Sequence, residues 1–482
     1  MPVNDHHKKY DDNIFKWRLV RDCCEGSTAI KKGRRASATS SATLNSEPGS
    51  LYLPVPNAND NSAENRERYR QYLTRANFVN FTGHTKEALS GMVFLKDPVY
   101  ELPGTIEEMA EDVNGQGETL ESVIKRSLDE VLTTGRQGLL VDYPELPPGL
   151  TRAQTQDITP YFTFYTAESV INWKAKRVNG RSVLCMVVLK EEVQEPIDQF
   201  SAECKDQFRV LTLNDDGVYI QQLYNQDGEL LIIDEDGNTD IVPRTSTGGV
   251  WYEIPFIFIG SVNNDAMPDK APLYDLAEVN IAHYRNSADY EESCFLVGQP
   301  TPVISGLTQS WVEEVLKGRV EIGSRAAIAL PEGGSAMLLQ AAPNQLPAVA
   351  MESKEKQMIQ IGAKIITDSG QAETAEAAKI RFAGQNSKLS TVVTNIKEAY
   401  KKGFEWAIMF AGGAGDTDID INREYYDKSI DPALIMAKIQ LMDRGVISVA
   451  DIRHYLRKAG DIDAERTDDD IEDDNREVDP FV

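Results

Sequence analysis

Three groupings in this 482-residue chain are of residue types that do chemistry. His6 and His7, with Asp5, Asp11 and Asp12 nearby, offer imidazole and carboxylate ligands for a divalent metal. So close to a chain end, the plainer reading is a frayed terminus. Ser122-Val-Ile-Lys125 has the serine–lysine spacing of some acyl-transfer enzymes, in which the amine activates the hydroxyl. It falls in an ordinary amphipathic helix pattern. Pro268-Asp269 with Glu352-Ser-Lys354 matches the acid–acid–lysine pattern of metal-dependent nucleases, which need those groups around one shared cation. Glu352-Ser-Lys354-Glu-Lys356 instead alternates charge as a solvated helix face does. No phosphate-cradling GxxxxGK[ST] loop, GxGxxG turn or HExxH pair is present, and His84, His283 and His454 are scattered. No catalytic residue, cofactor or metal site is expected.

The elements that would position any site are bounded by composition. The length suits about three domains, or two with a large insertion. A net charge of −26 argues against tight nucleic-acid binding, which requires phosphate neutralisation by Lys and Arg. It leaves room for a surface that DNA passes without sticking, or for charge that serves solubility. Cys23, Cys24, Cys185, Cys204 and Cys294 form no CxxC pair, so a reducing compartment without structural zinc is expected. The polar start lacks the look of a signal peptide, and no apolar run is long enough for a membrane span.

Residues 11–24 read as a short amphipathic helix with Ile14, Trp17, Leu19 and Val20 roughly on one face, ended by Gly26. Lys31-Lys-Gly-Arg-Arg35 and the Ser/Thr/Ala stretch to Gly49 read as a basic, solvated linker. Residues 64–95 give one or two helices. Another helix starts after Thr119 as N-cap and stops at Gly135-Arg-Gln-Gly138, followed by a short buried strand at Leu139-Leu-Val141. Residues 161–260 turn to β, with strands expected at 183–189, 208–213, 218–224, 229–233 and 255–259. The Asp-Gly turns at Gly217, Gly228 and Gly237 lie between apolar runs, which predicts an antiparallel meander. None has the ligand spacing of a calcium loop.

The C-terminal half is dominated by helices. Residues 273–296 predict a helix with apolar patches on several faces (Leu276, Val279, Ala282, His283, Asn286 and Tyr290 on one stripe), as when a helix packs on more than one neighbour. A Gly/Pro-bounded insert, residues 298–344, holds a short helix at 309–316 and strand-like runs at 320–322, 326–330 and 336–339. A second helix follows at 346–366. After Thr367-Asp-Ser-Gly-Gln371 a proline-free run of roughly 38 residues reaches Ala411, about 57 Å if straight, with a kink expected at Gly384. Pro432 opens another helix at N1 and Ser448 caps one more. Residues 461–482 hold eleven acids against two arginines and should be disordered or poorly packed.

Read together, these segments resemble the portal proteins (head-to-tail connectors) of tailed bacteriophages, in the branch known as a domain of unknown function. The resemblance is carried by Tyr52-Leu-Pro54, Arg68-Tyr-Arg-Gln-Tyr-Leu-Thr-Arg-Ala-Asn-Phe78, Gly91-Met-Val-Phe94, Gly135-Arg-Gln-Gly-Leu-Leu-Val-Asp142 and Ala167-Glu-Ser-Val-Ile-Asn-Trp173. It is strongest in Asp275-Leu-Ala-Glu-Val-Asn-Ile-Ala-His-Tyr-Arg-Asn-Ser-Ala-Asp-Tyr290 and Thr374-Ala-Glu-Ala-Ala378. The basic linker at residues 31–49 is longer than the family's.

The resemblance implies an α+β, portal-like fold. Residues 1–59 would be an N-terminal arm and linker, and 60–271 an α/β wing. Residues 272–297 and 346–366 would be two stem helices around a small α/β clip at 298–345. Residues 367–372 would be a tunnel loop, 373–411 a long tunnel helix, 412–460 C-terminal wing or crown helices, and 461–482 an acidic tail. It also implies a homo-oligomeric ring, typically a dodecamer, at one capsid vertex of the virion, assembled in the host cytoplasm. The ring would be the conduit for genome packaging and DNA ejection. Implied partners are the terminase large subunit, head-completion and tail adaptor proteins, major capsid and scaffolding proteins, and duplex DNA passing without sequence specificity; no membrane is involved. Thr367, Asp368, Ser369, Gly370, Gln371 and Glu373 would face DNA, and Trp311, Glu313, Glu314, Lys317, Arg319 and Glu332 would dock the motor or adaptors. Two other classes stay open: a viral metal-dependent nuclease or hydrolase built on Asp269 and Glu352, and a capsid scaffold protein without a channel.

Overall fold

The computed structural model describes residues 2–32, 48–144, 159–178, 180–233, 237–298, 301–314, 330–339, 345–366, 388–423, 425, 432–444, 446, 448–453, 466–468 and 470–471. The chain divides into two compact units, residues 1–421 and 422–482. The first mixes helix and strand in the α+β manner expected.

Its N-terminal helices are α1 (Lys8–Asp11), α2 (Ile14–Glu25) and α3 (Ser27–Lys32). Of the face read from the sequence, α2 buries Trp17, Leu19 and Val20, with Cys23 beside them and Ile14 only half-buried, and Gly26 at positive φ ends the helix. The chain start is docked rather than frayed, as two backbone-level hydrogen bonds hold it to a later strand. The His7 amide donates to the Ile171 carbonyl at 2.9 Å, and Asn172 Nδ2 donates to the Asp5 carbonyl at 2.9 Å.

The expected helical region at 64–95 is two helices, α4 (Ala63–Arg75) and α5 (Phe81–Val93), each opened by a side-chain cap from Ser62 or Asn80. A short strand β1 (Val99–Glu101) precedes α6 (Leu120–Thr134). Thr119 caps α6 as expected, and Gly135 ends it in the left-handed conformation at φ +76°. A Cβ at Gly135 would also stand 2.9 Å from the Asp269 carbonyl oxygen, so this position needs glycine twice over.

Three strands follow from the sequence-read β region and its border: β2 (Arg136–Asp142), β3 (Tyr161–Thr166) and β4 (Val170–Val178). They lead into β5 (Arg181–Pro196), β6 (Ala202–Leu213), β7 (Tyr219–Tyr224), β8 (Asp240–Ile241) and β9 (Phe256–Gly260). These form a three-stranded antiparallel sheet, β3-β2-β9, and a five-stranded meander, β4-β5-β6-β7-β8. The expected strand at 229–233 is replaced by a single bridge between Tyr224 and Leu230. Leu230 and Ile232 stay exposed there, so the alternating pattern has no surface to cover. Conversely, β5 and β6 run well past the expected limits, because their outer halves are polar and held by ladder bonds rather than burial.

Central strand β2 is buried along its whole length, and its alternation explains the layering. Arg136, Gly138 and Asp142 face the five-stranded sheet: Arg136 lies between the Trp173 and Phe258 rings at 3.9 and 3.8 Å, and Asp142 accepts from Gln221 Nε2 at 3.2 Å. On the opposite face, Leu139 meets helix α10 (Lys388–Ala411), the last 24 residues of the expected long helix. Gly403 permits that approach, since a Cβ there would stand 3.1 Å from Phe162 and 3.3 Å from Leu139. Tyr400 Oη lies 2.8 Å from Ser127 Oγ of α6, and the Phe404 ring packs tilted against Phe162 at 4.9 Å. Strand β12 (Asp418–Asp420) then pairs with β1. Residues 373–387, including Gly384, lie outside the described residues, as do the runs at 320–322 and 326–329.

The second unit contains α11 (Pro432–Asp443), which opens at Pro432 as expected. Ser448 and Asp451 cap each other's backbone, the expected Ser448 helix start. Within the acidic tail, Thr467 and Asp470 repeat that reciprocal cap, so a helical turn starts where disorder was expected.

Candidate functional site

The structural feature that the sequence singled out is a helical hairpin. Helix α7 (Tyr274–Val297) leads into strand β10 (Thr301–Ser305) and α8 (Gln309–Glu314). Strand β11 (Ser335–Leu339) returns into α9 (Leu346–Ile366). At 1.5 Å per residue, α7 and α9 are about 36 and 32 Å long. They run antiparallel: Lys354 Nζ donates to Asn286 Oδ1 at 2.6 Å, and His283 Nε2 lies 3.3 Å from Glu355 Oε1. Strands β10 and β11 pair in register from Thr301↔Leu339 to Ser305↔Ser335, closing the insert's base.

As its several apolar patches implied, α7 packs on more than one neighbour. Asn280, fully buried, accepts from the Thr82 amide and hydroxyl of α5 at 3.1 and 2.9 Å and donates to the Val79 carbonyl at 2.9 Å. Ser287 accepts from the Asn77 amide at 3.0 Å, and Tyr284 meets Phe78 edge-on at 5.8 Å. Farther along, Tyr72 donates to Asp289 at 2.7 Å and Arg75 pairs with Glu292. Burial, and then the hydrogen bond to Asp289, push the Tyr72 phenol well up. These contacts anchor α7 as far as Glu292.

Beyond them burial fades. Phe295, Leu296, Val303, Met337, Leu338, Leu346 and Val349 are all exposed at the distal end of the hairpin, and Ile359 of α9 is exposed where α9 and α5 line a shared groove. A monomer presenting this much apolar surface in one place is built to be covered. Among the proposed docking residues, Glu313, Glu314 and Glu332 are exposed and Trp311 is half-buried; Lys317 and Arg319 lie outside the described residues. The DNA-facing set, Thr367, Asp368, Ser369, Gly370, Gln371 and Glu373, lies outside them as well. Strand β10 was missed from sequence, although Val303-Ile304 before Gly306 is a β-branched pair at a turn.

The chemical groupings are not brought together. Asp269 Oδ2 accepts from the Val262 and Asn263 amides at 2.7 and 3.2 Å, which fixes the loop before α7. Glu352 pairs with Lys356 at 2.7 Å on the exposed face of α9, opposite the distal part of α7. The pairing of Lys354 with Asn286 puts Glu352 on the order of 20 Å along α7 from its start, too far to share a cation with Asp269. Ser122 and Lys125 are both exposed on α6. His6 bonds Asp11 at 3.0 Å, while His7 stacks on Trp173 at 4.1 Å. Among the described residues no three His, Cys, Asp or Glu side chains could hold a metal, and no helix is long and apolar enough to cross a membrane.

A family described as a domain of unknown function (DUF4055) matches residues 272–411, which span the hairpin and α10. No curated protein matches the chain. Among solved structures, the chain is similar to one from the neck of an empty gene transfer agent (GTA) particle computed with C6 symmetry, at 14% identity over 80% of this chain and 92% of that one, TM-score 0.44. It is similar at 13% identity to a chain from the virion of the native GTA particle, over 81% and 93%, TM-score 0.41. The neck of the native particle computed with C12 symmetry matches at 13%, over 80% and 92%, TM-score 0.41.

Proposed function

We propose that this chain is a portal subunit: a non-enzymatic component that closes into a ring at the capsid vertex, conducts DNA and docks other particle components. The observation that carries the reading is the antiparallel α7/α9 hairpin, anchored at one end and crowded with exposed apolar side chains at the other. In a ring, neighbouring copies cover those side chains, and the tip with Glu313, Glu314 and Glu332 stays free for the terminase large subunit and later for adaptor proteins. The sequence resemblance over residues 50–400 supports the same assignment.

On this reading Asp368 and Glu373, which lie in sequence between α9 and α10, repel phosphate and lower friction on moving DNA. A ring multiplies each such charge by the number of copies. ATP hydrolysis belongs to the partner, in keeping with the missing phosphate loop. The test is negative-stain electron microscopy with mass measurement of the purified chain. Closed rings of about twelve subunits with an axial hole are expected. A monodisperse monomer at micromolar concentration would overturn the reading.

A further inference from the structure

The two hairpins at the ends of strand β5 carry opposite charge. Strand β5 spans sixteen residues, on the order of 50 Å, and both of its ends extend past the buried middle. At one end the β4–β5 hairpin carries Lys174, Lys176, Arg177 and Arg181, all exposed, with no acid between positions 174 and 181. None of the four has a carboxylate partner among the described residues, in a chain of net charge −26. Lysine on an edge strand deters sheet pairing, but one or two suffice for that.

At the other end, β5 and β6 leave the sheet as a two-stranded ribbon, paired from Lys190↔Phe208 to Pro196↔Ala202. Asp198 accepts from the Phe200 and Ser201 amides at 2.7 and 2.9 Å and fixes the turn. The turn holds Phe200 93% exposed, with Ile197 beside it at 68%. Glu192, Glu195, Asp198 and Glu203 surround the tip against one cation, Lys205, which is already paired with Glu195 and Glu203. The ribbon is therefore a rigid acidic arm with an aromatic end, and a preformed turn lowers the entropy cost of docking it.

We propose that the two ends meet between neighbouring copies: the acidic, Phe200-bearing tip of one chain seats on the basic β4–β5 end of the next. Charge complementarity selects the occupant as a second copy of this chain, and Phe200 lies over an arginine or lysine stem there. Different patches meet, so the contact is head-to-tail and propagates around a ring. This contact rests on the ring reading above.

The test uses the full chain. With Lys176→Cys, a short bismaleimide should join residue 176 of one copy to the native Cys204 of the next, giving a ladder of covalent multimers. Adding Cys204→Ser should abolish that ladder. Lys176→Glu/Arg177→Glu alone, or Glu192→Lys/Glu195→Lys alone, should raise the concentration needed for half-assembly by about tenfold or more, and combining the four should restore it. Wild-type rings that ignore every reversal would overturn this contact and leave the ring reading standing. Covalent dimers and nothing larger would overturn the head-to-tail arrangement. A wild-type chain that forms no rings would overturn the ring reading, and this contact with it.

Discussion

Arg21 is a half-buried cation and Arg136 a buried one, and their surroundings make them opposites. Arg21 gives Glu168 two hydrogen bonds at 2.7 and 2.6 Å and Glu130 two more at 3.0 and 2.8 Å, tying α2 to α6 and to the turn before β4. Removing it leaves two carboxylates facing each other without a cation. Arg21→Ala should therefore cost about 3–5 kcal/mol in urea unfolding followed by tryptophan fluorescence. Among the described residues the Arg136 guanidinium has no hydrogen-bond partner, and it is held by two aromatic faces. Burial pushes it down to about 9, so it is still charged at neutral pH. Arg136→Met keeps the volume between the rings and removes the buried charge, so stability should stay within about 1 kcal/mol of wild type or rise. Arg136→Ala, which empties the slot, should lose roughly 3 kcal/mol or more. Asp142 sets a pH dependence: burial raises its carboxyl, against the opposing hydrogen bond from Gln221. The folded chain then holds that proton more tightly than the unfolded chain, whose carboxyl titrates near about 3.9. Its contribution is full below that value and is lost as pH rises through the folded pKa. Asp142→Asn cannot titrate, so its stability should fall less than wild type's as pH rises above about 4. An unchanged slope in urea titrations would contradict this.

Elements with one strong local signal were legible in the sequence. The α6 helix had Thr119 before it and Gly135 after it, and both ends came where those residues put them. Gly135→Ala, strained at φ +76° and crowded by a backbone oxygen, should cost about 1–3 kcal/mol by thermal denaturation. Both helices of the hairpin were placed to within a residue or so, because their runs are long and bounded by Gly, Pro and Asn. The β5/β6 ribbon was half-legible: Glu, Lys and Gln alternate there without an apolar face, so periodicity had nothing to report, and the Lys190–Asp206 and Lys205–Glu195 pairs show only once the strands are aligned. Strand β8 is two residues long and gave no signal at all. The docking set was chosen by resemblance, and only Trp311, Glu313, Glu314 and Glu332 of it fall on described positions. At this scale the hairpin makes its own prediction. Leu346→Asp and Ile359→Asp replace exposed side chains, so monomer unfolding should shift by less than about 0.5 kcal/mol. Ring yield in electron micrographs should drop sharply for the same variants, and an unchanged yield would mean those side chains are covered by something other than a neighbour.

For the whole molecule, the division after residue 421 and the central place of α10 lead to a truncation test. A chain ending at Ile421 should keep the melting temperature of the first unit within a few degrees, while one ending at residue 387 loses Leu389, Tyr400, Phe404 and Phe410 from the core and should not fold. Circular dichroism on the two truncations separates these outcomes. The reason is that β2 depends on parts made long after it. Its neighbour β9 begins more than a hundred residues later, and the Gly403 face of α10 that covers Leu139 comes later still. At ribosomal speeds of about 5–20 residues per second, Leu139 waits roughly 13 to 50 s for that cover. Through that interval a strand destined for burial along its whole length has one face open to the cell, so the timing of translation, and not only the final packing, bears on how many chains fold.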